Sequence, residues 1–305
     1  MPNASSPAVI SRPLAITILM LAASFFAANH VSARLAFDHG TGLLLAILTR
    51  GTMALLIMTS LALWQRHAFR VPAGKRGWQI LLGLMITGQS LCLYSAVARV
   101  PVAVALLMVN TWPILLALLN WVVSGKRPSG RLVLIMTVIL IGVVLVLDVP
   151  AWLSDPTAMG PDWLPGVCFA LAAACFFTVA IWTTDNKLAG MPGAVRSVFT
   201  MTTVLVVMVV GGVFNLVPGG LDLPATSQGW IGLALLAVFY GTGSTVLFVL
   251  VPRLDMARNA PVMNFEPVAS LILGFLVLGQ MLSLWQLIGG AIVLSGIIWL
   301  SLARH

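Results

Sequence analysis

Charge is what this chain has least of. Charged residues are 8% of its 305 amino acids, whereas an ordinary soluble domain carries about 25%, so a water-soluble globular protein is excluded. The 8 acids and 4 histidines are mostly scattered over loops, and a membrane enzyme would gather such groups on one face. The glycines form no phosphate-binding loop, which removes an ATP-driven engine. No His-Glu pair has zinc-protease spacing, and no serine sits in a nucleophile elbow. Cysteine is sparse: Cys92, Cys168 and Cys175 are odd in number and all lie in apolar runs. That argues against a disulfide framework or metal site and for small core residues. No enzyme activity, cofactor or metal is therefore expected. The net charge of +8 invites nucleic acid as a partner, but the basic residues sit in short loops between apolar runs. Membrane topology produces that pattern, and nucleic acid is set aside.

What is abundant is hydrocarbon. Hydrophobic residues make up 60% of the chain and mean hydropathy is +1.06. A membrane span needs about 20 mainly apolar residues, and ten runs satisfy this: 13–33, 41–64, 77–97, 100–124, 131–149, 163–184, 193–217, 228–250, 255–278 and 281–302. The first begins near Pro13 without a small-residue cleavage site, so no cleavable signal is expected. The longest connection, 150–162, carries Pro150, Pro156, Gly160 and Pro161 and reads as a linker between halves. Thirteen Lys and Arg residues fall at the N-terminus, the even-numbered connections and the C-terminus, from Arg12 through Lys75, Arg127, Lys187 and Arg253 to Arg304. The opposite side holds Arg34 and Arg99, and Arg50 lies inside the second run. Positive loops stay cytoplasmic, so both termini are expected inside.

The two halves echo each other. At a separation of 154, Arg99, Ala103, Asn110, Pro113, Gly125 and Gly142 match Arg253, Ala257, Asn264, Pro267, Gly279 and Gly296. Gly77-Trp78 matches Gly229-Trp230 at 152, and Phe25-Phe26 matches Phe176-Phe177 at 151. Five spans is an odd number, so the second half is expected to enter the membrane inverted. Transporters built this way bind substrate at the repeat interface near the midplane, where matching helices are interrupted. Asn110-Thr111-Trp112-Pro113 and Asn264-Phe265-Glu266-Pro267 are such a matched pair. Pro113 and Pro267 remove intrahelical donors and are expected to act as hinges of spans 4 and 9.

These features resemble the drug/metabolite transporter superfamily, and within it the EamA-type exporters. The second half carries most of the likeness: Glu266-Pro267, Gly274, Gly279, then Gln286, Gly289-Gly290 and Gly296. The family often has an acid after Gly279, where this chain has Gln280. Asn110-Thr111-Trp112-Pro113 is similar to the Trp-Pro motif of the YddG-type aromatic amino acid exporters. The resemblance implies an all-α polytopic protein of the cell inner membrane, with one EamA-like repeat over 13–149, a linker over 150–162 and a second repeat over 163–302. It implies export of amino acids, aromatic or other apolar side chains preferred, and of related metabolites. Export of other metabolites or cationic drugs, or a non-transporting scaffold, are the competing readings. The expected partners are a small-molecule substrate and the lipid bilayer.

Several residues are candidates for the site. Glu266 is the one acid expected within the hydrocarbon, where a carboxylate costs about 3 kcal/mol or more. It has three readings: a ligand for a substrate ammonium or other cation, a proton-coupling group, since burial disfavours the charged form, or a structural carboxyl that caps the broken turn or pairs with Arg50. Arg50 offers a planar fork for a carboxylate; the structural reading, a tie to backbone carbonyls or Asp38, is preferred. Trp112 falls mid-span, away from the interfacial belts in which tryptophans collect, and its face suits stacking on a substrate side chain. Asn110 and Asn264 are equivalent by the repeat and suit a shared cavity; interhelical hydrogen bonding is the alternative. His30, Tyr94 and Tyr240 complete the candidates.

Overall fold

The computed structural model describes residues 11–125, 130–147, 160–217, 220–250 and 260–303, and all its regular elements are helical. The helices are α1 (Arg12–Asp38), α2 (Leu43–Trp64), α3 (Arg76–Val97), α4 (Val102–Val109), α5 (Trp112–Ser124), α6 (Gly130–Val146), α7 (Trp163–Asn186), α8 (Gly193–Val213), α9 (Ser227–Leu250), α10 (Glu266–Leu278) and α11 (Leu284–Ala303). Short 3-10 segments precede α3 (Ala73–Lys75) and α10 (Ala260–Phe265). Seven units are long and apolar enough to cross a membrane: α1, α2, α3, the α4–α5 pair, α7, α8 and α9. Three shorter apolar stretches, Val133–Val146, Val262–Leu278 and Leu284–Trp299, fall in the remaining expected runs. Helix is the only spanning conformation these runs can adopt without leaving backbone polar groups unpaired in lipid, short of a closed barrel. Of the expected linker over 150–162, only Gly160, Pro161 and Asp162 lie among the described residues.

The outside of the bundle is as apolar as its inside. Val122 is 81% exposed and Leu276 69%, an arrangement suited to lipid. The cysteines show the consequence. Cys92 is half-buried, but Cys168 and Cys175 are exposed on α7 instead of packing as core residues. Hydropathy cannot separate a lipid-facing position from a buried one, because both are dry.

Small residues let the helices close on each other. α1 buries Ala15, Ala22, Ala23, Ala27, Ala33 and Ala36. It packs against α9, where a Cβ added at Gly232 would lie 2.8 Å from Ala36 N and 2.9 Å from Ser32 O. α6 and α11 approach still more closely: a Cβ at Gly289 would stand 2.6 Å from both Gly142 O and Val146 N.

The packing has a two-fold pattern. α1 lies against α9 and α7 lies against α3; α2 pairs with α8, α6 with α11, and α4 with α10. Exchanging the halves maps the first four of these contacts onto themselves. In detail, a Cβ at Gly142 would meet Val293, while one at its counterpart Gly296 would meet Ile139, the counterpart of Val293. α5 and α10 are each 13 residues long, carry proline in the first turn, and end on a left-handed glycine, Gly125 (φ 68°) and Gly279 (φ 65°). Glycine pays no Cβ penalty there.

Contacts between connections sort them onto two faces. On one face the Gly42 N–H donates to Asp222 O and the Ala225 N–H to His39 O, both at 2.9 Å. On the other, Lys75 Nζ donates to Ala189 O at 2.6 Å. The α10–α11 connection reaches the start of α4: Gln280 Oε1 accepts from the Val102 N–H at 3.1 Å, an otherwise partnerless first-turn donor. Ser283 and Gln286 form a capping box on α11. The Ser283 N–H donates to Gln286 Oε1 at 2.9 Å and the Gln286 N–H donates to Ser283 Oγ at 3.2 Å.

Candidate functional site

The site is organised by the two interrupted helices. α4 stops at Val109 because Pro113 has no N–H to offer its carbonyl. The turn closes locally: the Thr111 side chain donates to Met108 O at 2.7 Å, and Asn110 Nδ2 donates to Leu106 O at 2.9 Å. Asn110 thus spends its amide on the end of its own helix. α10 follows its 3-10 segment in the same manner, with Glu266 and Pro267 opening the helix. Both prolines occupy a first-turn position where a missing N–H costs nothing. They therefore stand at the starts of α5 and α10 and not in helix interiors.

Glu266 faces α1. Its Oε1 lies 3.5 Å from His30 Nε2, the two side chains being 23% and 8% exposed. At the first turn of α10 the carboxylate also lies on the favourable end of the helix dipole. His30 Nδ1 is buried without a hydrogen-bond partner. The imidazole meets Tyr94 edge to face, with centroids 6.0 Å apart. Tyr94 is fully buried, packs on Phe37, and donates weakly to Asn29 Oδ1 at 3.5 Å. Asn29 in turn donates to Leu236 O at 2.8 Å, joining α1 to α9.

Arg50 of α2 completes the cluster. Its guanidinium lies 5.0 Å from the ring centres of both Tyr94 and Tyr240. Nη2 donates to Ser90 Oγ at 2.5 Å, and Tyr240 leans on Phe26. Among the described residues Arg50 has none of its expected ties, to backbone carbonyls, Asp38 or Glu266: its hydrogen bond goes to Ser90, Asp38 is held by Arg34 at 2.8 Å, and Glu266 faces His30. Arginine, ring, imidazole and carboxylate thus form a chain of successive contacts through α2, α3, α1 and α10, with Tyr240 of α9 also on the arginine.

The remaining candidates make other contacts. Trp112 packs edge to face on Phe177, at 5.5 Å and 86°, and its carbonyl accepts from the Thr178 hydroxyl at 3.3 Å. Asn264 is half-buried in the 3-10 segment before α10. Among the described residues, no hydrogen bond, ion pair or ring contact joins Trp112, Asn110 or Asn264 to Glu266. The structure therefore brings Glu266, His30, Tyr94 and Tyr240 into one neighbourhood with Arg50, and puts Trp112 against α7. Sequence reasoning passed over Asn29 and Ser90; an Asn-His pair inside an apolar run was the visible signal for the first. Among the described residues, no three His, Cys, Asp or Glu side chains are grouped to hold a metal ion.

The EamA-like transporter family matches residues 13–148 and 164–302, most of the chain. The chain belongs to this family. An EamA-like transporter is a membrane protein that moves small molecules, which suits a site made of hydrogen-bonding, charged and aromatic groups. A solved crystal structure is similar to this EamA-like chain with a TM-score of 0.61 at 20% identity, over 96% of this chain and 99% of its own; at that identity it speaks for the fold alone. No curated protein matches the chain.

Proposed function

We propose that this EamA-like protein is an inner-membrane secondary exporter of amino acids, aromatic or other apolar side chains preferred, and of related metabolites. The observation that carries the reading is Glu266, a carboxylate opening a half-helix and facing His30 across to α1. Fixed polar partners are what a zwitterion needs when it sheds water on entering the membrane. Ten spans would be arranged as two inverted repeats, 13–149 and 163–302, joined by the 150–162 linker, with both termini cytoplasmic. The excess of thirteen basic residues over two supports that orientation. Transport would proceed by alternating access through a central cavity, with spans 4 and 9 hinging at Pro113 and Pro267. A cavity of about 160 Å³ beside Pro267, bordered by Leu107, Gln286 and Gly290, leaves room for such a shift. Trp112, Asn110 and Asn264 would line the same path in another stage of the cycle. The aromatic preference rests on Trp112 and on the likeness to YddG-type exporters. Uptake into proteoliposomes, with amino acids, amines and sugars presented with and without a pH gradient, tests the proposal. Saturable movement of phenylalanine supports it; movement of cationic drugs alone would replace the substrate class.

A further inference from the structure

We infer that Arg50 is the anchor for a substrate carboxylate. The inference rests on the proposed export of amino acids only for its choice of first substrate. A guanidinium carries five N–H donors in one plane and stays charged at any physiological pH. At Arg50 one nitrogen, Nη2, is engaged, by Ser90, and no carboxylate of the described chain pairs with it. The residue is only 9% exposed, yet Nε and Nη1 are not among the buried polar atoms sealed without a partner. These donors therefore keep some accessible surface and are not sealed in the packing.

The surroundings fix how that space is approached. Tyr94 and Tyr240 lie 5.0 Å from the guanidinium carbon and supply two π systems that stabilise the charge without neutralising it. Tyr94 cannot move aside easily, being fully buried and held by Asn29, His30 and Phe37. A structural arginine would be expected to spend its fork on an acid or on several carbonyls. Here the acids are spent on other groups: Asp38 on Arg34 and Glu266 toward His30. Ser90 takes one of the two Nη2 hydrogens; the other, with its neighbour on the same edge of the fork, keeps the geometry that binds a carboxylate with two parallel hydrogen bonds. Glu266 stands beyond Tyr94 and His30, so a positive and a negative group are separated by rings instead of cancelling each other. An α-amino acid presents a carboxylate of the kind that Arg50 would take.

The test uses the purified full chain in lipid nanodiscs and calorimetric titration with four probes. Phenylalanine carries both charges, 3-phenylpropionate only the carboxylate, phenethylamine only the ammonium, and threonine both charges without the ring. Wild-type protein should bind phenylalanine at least tenfold more tightly than phenethylamine, a comparison that requires no variant to fold. Arg50→Gln should bring phenylalanine down to the level of phenethylamine while leaving the amine unchanged. Arg50→Lys, with charge but no fork, should recover only part of the difference. Equal binding of phenylalanine and phenethylamine by the wild type, or binding of no carboxylate probe, overturns the inference. So does a folded Arg50→Gln variant that keeps the preference for the acid or loses both ligands equally. Arg50-dependent binding of threonine or 3-phenylpropionate without phenylalanine would remove the aromatic amino acid reading and leave the anchor standing.

Discussion

Removing the charge of Glu266 while keeping its shape separates a transport role from a structural one. Glu266→Gln retains an oxygen toward His30 Nε2, which now stands 3.5 Å from the carboxylate, so the fold should survive. Uptake by the purified variant should fall at least tenfold or lose its response to an imposed pH gradient; wild-type rates with an intact gradient response would leave the carboxyl structural. Trp112 makes a different prediction. Its ring contacts Phe177, and stacking of an aromatic substrate in Phe177's stead would contribute about 0.5–1.5 kcal/mol, roughly two- to tenfold in selectivity. Trp112→Ala should therefore reduce phenylalanine transport more than threonine transport, at matched protein levels. An unchanged ratio assigns Trp112 to packing. At this scale polar residues in apolar runs were easy to single out, because each is costly there and stands out against leucine and valine. Their partners were not legible: nothing in the order of residues says that Arg34 holds Asp38 or that Arg50 lies between Tyr94 and Tyr240.

Two half-helices and one close helix pair make testable elements. Pro267→Ala restores a donor to the turn before α10 and should favour a continuous helix across Phe265 and Glu266. The expected result is slower transport with an unchanged melting temperature; normal rates would make the break dispensable for gating. Gly289→Ala acts on the α6–α11 contact. The added methyl would meet backbone atoms of Gly142 and Val146 at 2.6 Å, and backbone cannot turn away as a side chain can. Overpacking of this kind costs about 1–3 kcal/mol, and thermal denaturation in detergent should show a lowered midpoint. Hydropathy located the helices because a long apolar run in lipid has few other conformations open to it. It read 100–124 as one span, and Val102–Val123 is one such unit; the interruption near Pro113 was signalled by the proline and the repeat, and its exact stop at Val109 depends on local hydrogen bonds of Asn110 and Thr111. It also placed Cys168 and Cys175 inside, since lipid and protein interior have the same polarity.

Orientation is a property of the whole molecule. With the native cysteines replaced, a cysteine at Lys75 should react with an impermeant reagent only from the cytoplasm, and one at Asp222 only from outside. Reaction of Asp222→Cys from the cytoplasmic side would reverse the proposed topology. The two positions belong to opposite faces of the structure: Lys75 touches Ala189, and Asp222 accepts from Gly42. The bond from the Val102 N–H to Gln280 Oε1 ties the second half of the chain to the first at the mouth of α4. An amide in that role holds the helix end without a titratable proton. That fastening keeps the same strength in acid and in alkali, whereas a carboxylate in its place would let go on acidification.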